Sequence, residues 1–152
     1  MLAGQKDFIA EARRYKHIFG GAMRQAGIAA AGCLYALDHH VQRLVEDHEN
    51  AKLLARGLTQ IEGIRVRTTE PESNMVFFDA SGLGISNTDF LARLAEDSVK
   101  MGEVRGEIRA VLRLDVPRQG VEVALQSVRK IAHTATSANP HASIADVQVR
   151  TY

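Results

Sequence analysis

The chain has 152 residues, of which 45% are hydrophobic and 24% are charged, a composition typical of one ordinary domain that buries a real core. The 19 basic residues nearly balance the 18 acidic ones and leave a net charge of +1, which argues against a nucleic-acid binder. The most apolar uncharged run, residues 25–37, is too short to span a membrane. No secretory signal is visible at the start, so we expect a cytoplasmic protein.

Three helices are predicted for the first part of the chain. Apolar residues recur at helical spacing over residues 5–18, and the Gly-Gly pair that follows is expected to end this helix. A second helix over residues 22–38 has no charged face in its middle, so it requires a cover from another domain or another subunit. After a histidine pair, a third amphipathic helix runs to about residue 60.

The later part of the chain changes to patterns typical of strands. Residues 64–67 alternate in polarity and residues 75–78 form a short apolar run, so both segments are predicted strands. Ser86, three residues before Asp89, resembles the start of a capped helix. A weak connection or short strand is expected between two glycines near residue 104.

The clearest predicted strand covers residues 108–116, and a fifth helix begins at Pro117, a residue suited to the first helical turn. By parity, Ile108, Ala110, Leu112 and Leu114 share one face of this strand, whereas Arg109 lies on the other face. From residue 134 onward the composition indicates a flexible tail.

These elements predict an α+β fold in which a helical N-terminal half precedes a small sheet of three to four strands with helices on one face. We divide the chain into a helical segment over residues 1–60, a small α/β domain over residues 61–133 and a tail over residues 134–152.

Two arginines are candidate binding residues. Arg24 follows a glycine-rich turn that leads into a predicted helix, where backbone amides favour an anion such as phosphate. Arg109, on a rigid strand, is suited to bidentate recognition of a carboxylate. From spacing alone, a helix–helix corner with a solvated Arg24 and a half-exposed polar sheet face around Arg109 are the favoured interpretations.

Other reactive residue types offer no convincing site. His39, His40 and His48 do not share one helical face with the precision that three metal ligands require, so no metal is expected. Cys33 lies in the apolar helix and is interpreted as core or interface.

Several separated motifs resemble the low-specificity L-threonine aldolases, which depend on pyridoxal 5′-phosphate (PLP) and share the aspartate-aminotransferase-like fold, whose C-terminal domain matches the predicted architecture. The similar segments include residues 13–27, with Gly-Gly-Ala-Met-Arg-Gln, the run Glu-Asp-His-Glu-Asn-Ala at 46–51, Asn-Met-Val-Phe-Phe at 74–78, and Ile-Arg-Ala-Val with Leu-Asp-Val over 108–116. The resemblance extends over about residues 2–131 in unbroken order.

The resemblance implies roles for the two arginines. Arg24 corresponds to an arginine near the cofactor phosphate, and Arg109 to the arginine that holds the substrate α-carboxylate. Two departures from the family pattern stand close to them: Ala22 replaces a third glycine, and Leu112-Arg113 replaces Thr-His.

The resemblance also implies that this chain corresponds to the C-terminal portion of such an enzyme. The family's Schiff-base lysine lies in a Ser-Lys-Gly context upstream of the matched region, and none of the five lysines here has that context. We therefore expect no catalytic residue within this chain, and no activity from it alone. The implied reaction of the whole enzyme is cleavage of L-threonine or L-allo-threonine to glycine and acetaldehyde, by a homo-oligomer without nucleic-acid or membrane partners.

Two alternatives remain open. The chain could be a non-catalytic module derived from such an enzyme, which dimerises through the apolar helix over residues 26–37. The whole enzyme could also keep PLP and catalyse another reaction, as a related β-eliminating lyase or an aminotransferase.

Overall fold

A computed structural model of the chain describes residues 2–138. These residues fall into two compact units that divide between Gln42 and Arg43, and each unit is described by itself. The last helix includes residues 134–138 of the predicted tail, and the rest of that tail, residues 139–152, lies outside the described residues. None of the described helices is long and apolar enough to cross a membrane.

The first unit contains two helices, α1 (Lys6–Ile18) and α2 (Gly27–His39). The prediction of two helices is confirmed, and Gly20, with a φ of +72°, lies in the turn that follows α1. The predicted start of α2 at residue 22 is wrong by five residues. Gln25 adopts a left-handed φ of +56°, which a right-handed helix cannot contain, so residues 24–26 form a turn instead.

Neither helix of this unit buries any side chain. The exposed fraction is 79% for Ile28 and 62% for Leu34, although both belong to a helix with no charged face. A helix of this kind is unstable in water without a partner surface. Within its own unit α2 therefore has no cover, and the expected contact with another domain or subunit stays a prediction.

The second unit contains three longer helices and a small sheet. The helices are α3 (Leu44–Leu58), α4 (Asn87–Glu96) and α5 (Arg118–Ala138). The predicted cap of α4 is confirmed, because the Ser86 hydroxyl accepts a hydrogen bond from the Asp89 backbone N–H at 3.1 Å. The sequence division placed α3 in the first segment, whereas α3 packs on α5 and on the sheet of the second unit.

The sheet has four antiparallel strands in the spatial order β1-β2-β4-β3. They are β1 (Arg65–Val66), β2 (Met75–Asp79), β3 (Gly102–Val104) and β4 (Glu107–Val111). A tight two-residue turn joins β3 to β4 and places β3 at the edge. The described residues therefore form an α+β fold, as predicted from the sequence.

Alternation along the two central strands separates a buried face from an outer face. Val76, Phe78, Ile108 and Ala110 are buried, and they form one core with apolar residues of α3, α4 and α5. Their neighbours in the chain lie on the opposite side of the sheet, because successive strand residues point to opposite faces. Arg109 is one of these outer residues, as its parity predicts.

The strand predicted over residues 108–116 is shorter in the structure. It ends at Val111, and Leu114, predicted on the buried face, is 61% exposed. The last ladder contact joins Leu112 to Asn74, where the Leu112 N–H donates to the Asn74 carbonyl at 2.8 Å. After Leu112 the chain leaves the sheet and forms a turn, in which the Val116 N–H donates to the Arg113 carbonyl.

Asp97 connects the end of α4 to α5. Its carboxylate accepts hydrogen bonds of 2.8 Å from the Lys130 ammonium and from the Ser127 hydroxyl. These two bonds, the one from Lys130 first, hold the pKa of Asp97 below its ordinary value of 3.8.

A carboxylate with a lowered folded pKa stabilises the fold above its unfolded pKa, and this stability is lost as the pH falls through the folded value. We therefore expect Asp97→Asn to reduce the difference between the free energies of unfolding measured in urea at pH 7 and at about pH 3. Glu72→Gln, which removes an exposed carboxylate that has no ion pair within residues 2–138, is the control and should leave that difference unchanged. An equal difference in Asp97→Asn and wild type would contradict the assignment.

Candidate functional site

Arg109 lies in the middle of β4, between two hydrogen-bonded neighbouring strands. Its cross-strand partners are Phe77 on β2 and Gly102 on β3. The backbone that carries the guanidinium is therefore held on both sides. A side chain placed on a paired central strand loses less entropy on binding than one on a loop, which suits a binding residue.

The Arg109 side chain is half buried, and its Nε atom is buried without a hydrogen-bond partner among the described residues. A buried N–H that lacks an acceptor costs about 1–3 kcal/mol, and more when it is charged. Native structures rarely keep such a group without a reason. The orphaned Nε is the clearest indication in this unit that an external acceptor binds here.

Open space lies at Gly102, the cross-strand neighbour of Arg109 on β3. Gly102 carries no side chain, and a Cβ atom built on it would meet no other atom within 4 Å. The ring of Phe77 lies on the opposite side of Arg109. A small planar anion could therefore approach Arg109 from the side of β3 and accept from Nε and one terminal nitrogen together, the side-on geometry of arginine–carboxylate pairs.

A second arginine lies in the same row across the sheet. The Arg67 N–H donates to the Phe77 carbonyl at 3.0 Å, and the Arg67 guanidinium stacks over the Phe77 ring at 4.3 Å from its centroid. The same guanidinium donates to both carboxylate oxygens of Glu107. These bonds raise the pKa of Arg67 further above its ordinary value, so Arg67 is a paired cation at neutral pH.

The end of this outer face forms an open depression near the β3–β4 turn. Arg65 donates to Asp79 at 2.9 Å. The backbone N–H of Ser81, which also donates to Asp79, is the largest cause that lowers the pKa of this carboxyl. The charges of Arg65 and Asp79 are thus paired with each other, whereas Arg105, which also lines this depression, is an exposed cation in the β3–β4 turn.

Arg24 occupies a different environment, in the first unit. It lies in the turn over residues 24–26, is exposed, and forms no ion pair among the described residues. The helix that follows begins only at Gly27, so Arg24 precedes the helix by three residues instead of lying inside it. Its role at a phosphate remains a prediction.

Among the other residues considered from the sequence, His40 of the first unit also has a buried atom, Nδ1, without a hydrogen-bond partner among the described residues. The rest have ordinary surroundings. Arg113, at the position of the family's histidine, pairs with Asp115 at 2.8 Å in an exposed turn. Cys33 is exposed on α2, and the His39 Nδ1 atom donates to the Tyr35 carbonyl at 2.9 Å. Within residues 2–138, no three His, Cys, Asp or Glu side chains come together to hold a metal ion.

Sequence reasoning missed Arg67, Phe77, Gly102 and Glu107 as neighbours of Arg109. The alternation over residues 64–67 was sufficient to place Arg67 on an outer face. It was not sufficient to bring Arg67 near Arg109, because that depends on the pairing order of the strands. The site is therefore an arginine with an unsatisfied donor, next to an arginine that is already neutralised.

Comparison with known proteins gives consistent matches. The sequence model described as beta-eliminating lyase matches residues 1–81. The chain is 34% identical over 129 residues to low-specificity L-threonine aldolase 1 of Arabidopsis thaliana, which covers 82% of this chain and 36% of that protein. It is also 34% identical over 119 residues to the low specificity L-threonine aldolase of Escherichia coli strain K12. That alignment covers 78% of this chain and 34% of the aldolase.

The chain is also similar to a protein named as an alanine racemase, from Cochliobolus carbonum. The two are 30% identical over 107 residues, and the alignment covers 65% of this chain and 27% of the racemase. The chain spans about a third of the length of the two aldolases.

Proposed function

Since the chain belongs to the beta-eliminating lyase family, we propose that it forms the later portion of a PLP-dependent aldolase that cleaves L-threonine or L-allo-threonine to glycine and acetaldehyde. The similarity to low-specificity threonine aldolases that the motifs predict is confirmed over most of the chain. The proposal includes a cytoplasmic homo-oligomer in which another portion supplies the Schiff-base lysine.

The single observation that carries the proposal is the buried, unpartnered Nε of Arg109 on the outer face of the sheet. An amino-acid substrate brings a carboxylate, which is the acceptor that this donor lacks. Arg109 would hold that carboxylate and so fix the rotation of the substrate about its α-carbon. The side chain binds and orients the substrate, and no proton transfer is assigned to it.

Each arginine by itself has the chemistry that one anionic group of PLP or its substrate requires. Arg24, exposed on a turn of the first unit, has no ion pair within residues 2–138 and suits a phosphate, whereas Arg109 in the second unit offers an unsatisfied donor for a substrate carboxylate. When bound, the cofactor would act as an electron sink for the carbanion left by carbon–carbon cleavage. We assign no proton transfer to either arginine.

The proposal is tested by PLP titration of two polypeptides. The 152-residue chain should show no absorbance band of lysine-bound PLP, whereas a polypeptide that continues upstream through the Ser-Lys-Gly segment should show that band and release glycine from L-threonine. If the extended polypeptide fails to bind PLP, the assignment is wrong. If it binds PLP but yields other products, analysis of those products distinguishes an aldolase from a racemase, a β-eliminating lyase or an aminotransferase.

A second candidate function is favoured by the exposed α2. In this alternative the chain is a non-catalytic module that dimerises through the apolar residues 26–37. Leu34→Asp places a charge in that surface and should convert a dimer into a monomer in light scattering, because a buried unpaired carboxylate is costly. Leu34→Met, which keeps an apolar side chain of similar volume, should preserve the dimer. An unchanged assembly state in Leu34→Asp would exclude this interface.

A further inference from the structure

Glu107, an acidic residue on the outer face of β4, is near enough to Arg109 to compete with a substrate carboxylate for its guanidinium. Glu107 lies two residues before Arg109 on β4, so both side chains belong to the same face at about 7 Å separation along the strand. A carboxylate so placed could fill the empty acceptor position at Arg109. In the structure it does not, because Glu107 accepts from both Nε and a terminal nitrogen of Arg67.

Arg67 is itself held in place by two further contacts. Its backbone N–H donates to the Phe77 carbonyl, and its guanidinium stacks on the Phe77 ring. Phe77 also lies between Arg67 and Arg109 in the row across the sheet. The stacked guanidinium therefore draws the Glu107 carboxylate toward β1, away from the side of β3 where Gly102 leaves open space.

We propose that Arg67 is a positioning residue that engages Glu107 and so keeps Arg109 available for the substrate carboxylate. The inference rests on the proposed function, because it assigns to Arg109 the binding of a substrate carboxylate. It adds that Arg109 keeps an uncompensated guanidinium on the outer face, whereas the charge of Arg67 is cancelled by Glu107. Such a face suits an amino acid with a single carboxylate.

The test compares three variants of the PLP-loaded enzyme that contains this chain. Arg67→Gln releases Glu107, which should turn to Arg109 and raise KM for L-threonine about threefold to tenfold, while kcat changes less than twofold. The double variant Arg67→Gln with Glu107→Gln removes the competitor and should restore KM to within twofold of wild type. Arg67→Lys keeps a cation for Glu107 and should show an intermediate KM.

A merely structural role for Arg67 predicts the opposite pattern, because the double variant also lacks the ion pair and would keep a raised KM. An unchanged KM in Arg67→Gln, or no rescue in the double variant, overturns the inference. If Arg109→Ala leaves KM and kcat unaltered, the proposed function fails. If Arg109→Ala impairs the enzyme but Arg67→Gln does not, only the inference fails.

A readout independent of activity is the crystal structure of the Arg67→Gln variant of the 152-residue chain. The inference expects a Glu107 oxygen at hydrogen-bond distance, about 3 Å, from the Arg109 guanidinium. Arg105, in the exposed turn on the other side of Glu107, is the competing cation. A Glu107 side chain that turns to Arg105 or to solvent in this variant contradicts the inference.

Discussion

In the proposed PLP-loaded enzyme that contains this chain, Arg109→Ala is expected to lower kcat/KM for L-threonine by about 10²- to 10⁴-fold. The substitution removes two charge-assisted hydrogen bonds to the substrate carboxylate, each contributing roughly 1.5–3 kcal/mol. Arg109→Lys keeps the charge but loses the planar fork and the Nε donor, so a loss of at least about tenfold is expected. Steady-state kinetics with varied L-threonine measure both effects.

The matched control is Arg113→Ala. Arg113 lies four residues further along the chain, is exposed, and pairs only with Asp115 in a surface turn. Its removal should change kcat/KM less than about twofold, because Arg113 is not proposed to contact the substrate. Loss of its exposed ion pair should also cost the fold little stability. Equal losses in Arg109→Ala and Arg113→Ala would show that general loss of positive charge, and not carboxylate binding by Arg109, causes the effect.

A large loss of stability is expected from Phe78→Ala in the core of the second unit. Phe78 is fully buried on β2, and its ring meets the ring of Phe90 on α4 edge-on at 6.1 Å between centroids. Removal of a buried phenyl ring costs about 3–5 kcal/mol, because apolar contacts are lost and a cavity remains. This is a large part of the stability of an ordinary domain. Urea unfolding followed by far-UV circular dichroism measures the change.

Val123→Ala on α5 serves as the control for this prediction. Val123 is 43% exposed, so its truncation should change the free energy of unfolding by less than about 1 kcal/mol. If Phe78→Ala were no more destabilising than Val123→Ala, the two faces of the sheet would have been assigned incorrectly, and the placement of Arg109 on the outer face would fail with them.

The order of helices and strands followed from local patterns that the structure confirms. Alternation around Arg109 placed it opposite the buried Ile108 and Ala110. The Ser86 cap was recognisable because a hydroxyl three residues before an acidic residue satisfies a free N–H at a helix start. Features of this kind depend on residues near each other in the chain.

The errors occur where tertiary partners decide the outcome. Leu114 fits the apolar alternation of a strand, but β2 offers no backbone groups beyond Asn74 with which to extend the ladder. The start of α2 shifted because Gln25 adopts a left-handed conformation, which glutamine does not signal as glycine would. Local sequence patterns predict neither the early end of this strand nor the late start of α2.

The residues around the candidate site likewise could not be predicted from the sequence. Arg67 and Glu107 are 40 residues apart in the chain, and they meet because β1 and β4 flank β2 in the sheet. A sequence of four short strands permits several orders, so Arg67 could equally have been placed far from Arg109. The motif resemblance predicted Arg109 as a candidate binding residue, but it did not predict the nearby ion pair of Arg67 and Glu107.

The most direct test of the central claim compares L-threonine with L-threoninamide, which lacks the negative charge that Arg109 is proposed to bind. In the wild-type enzyme we expect kcat/KM for L-threonine to exceed that for the amide by about 100-fold, since the charged acceptor strengthens the hydrogen bonds. In Arg109→Ala this ratio should fall to within about threefold of one. A ratio that remains at its wild-type value in Arg109→Ala would contradict the assignment of Arg109 to the substrate carboxylate.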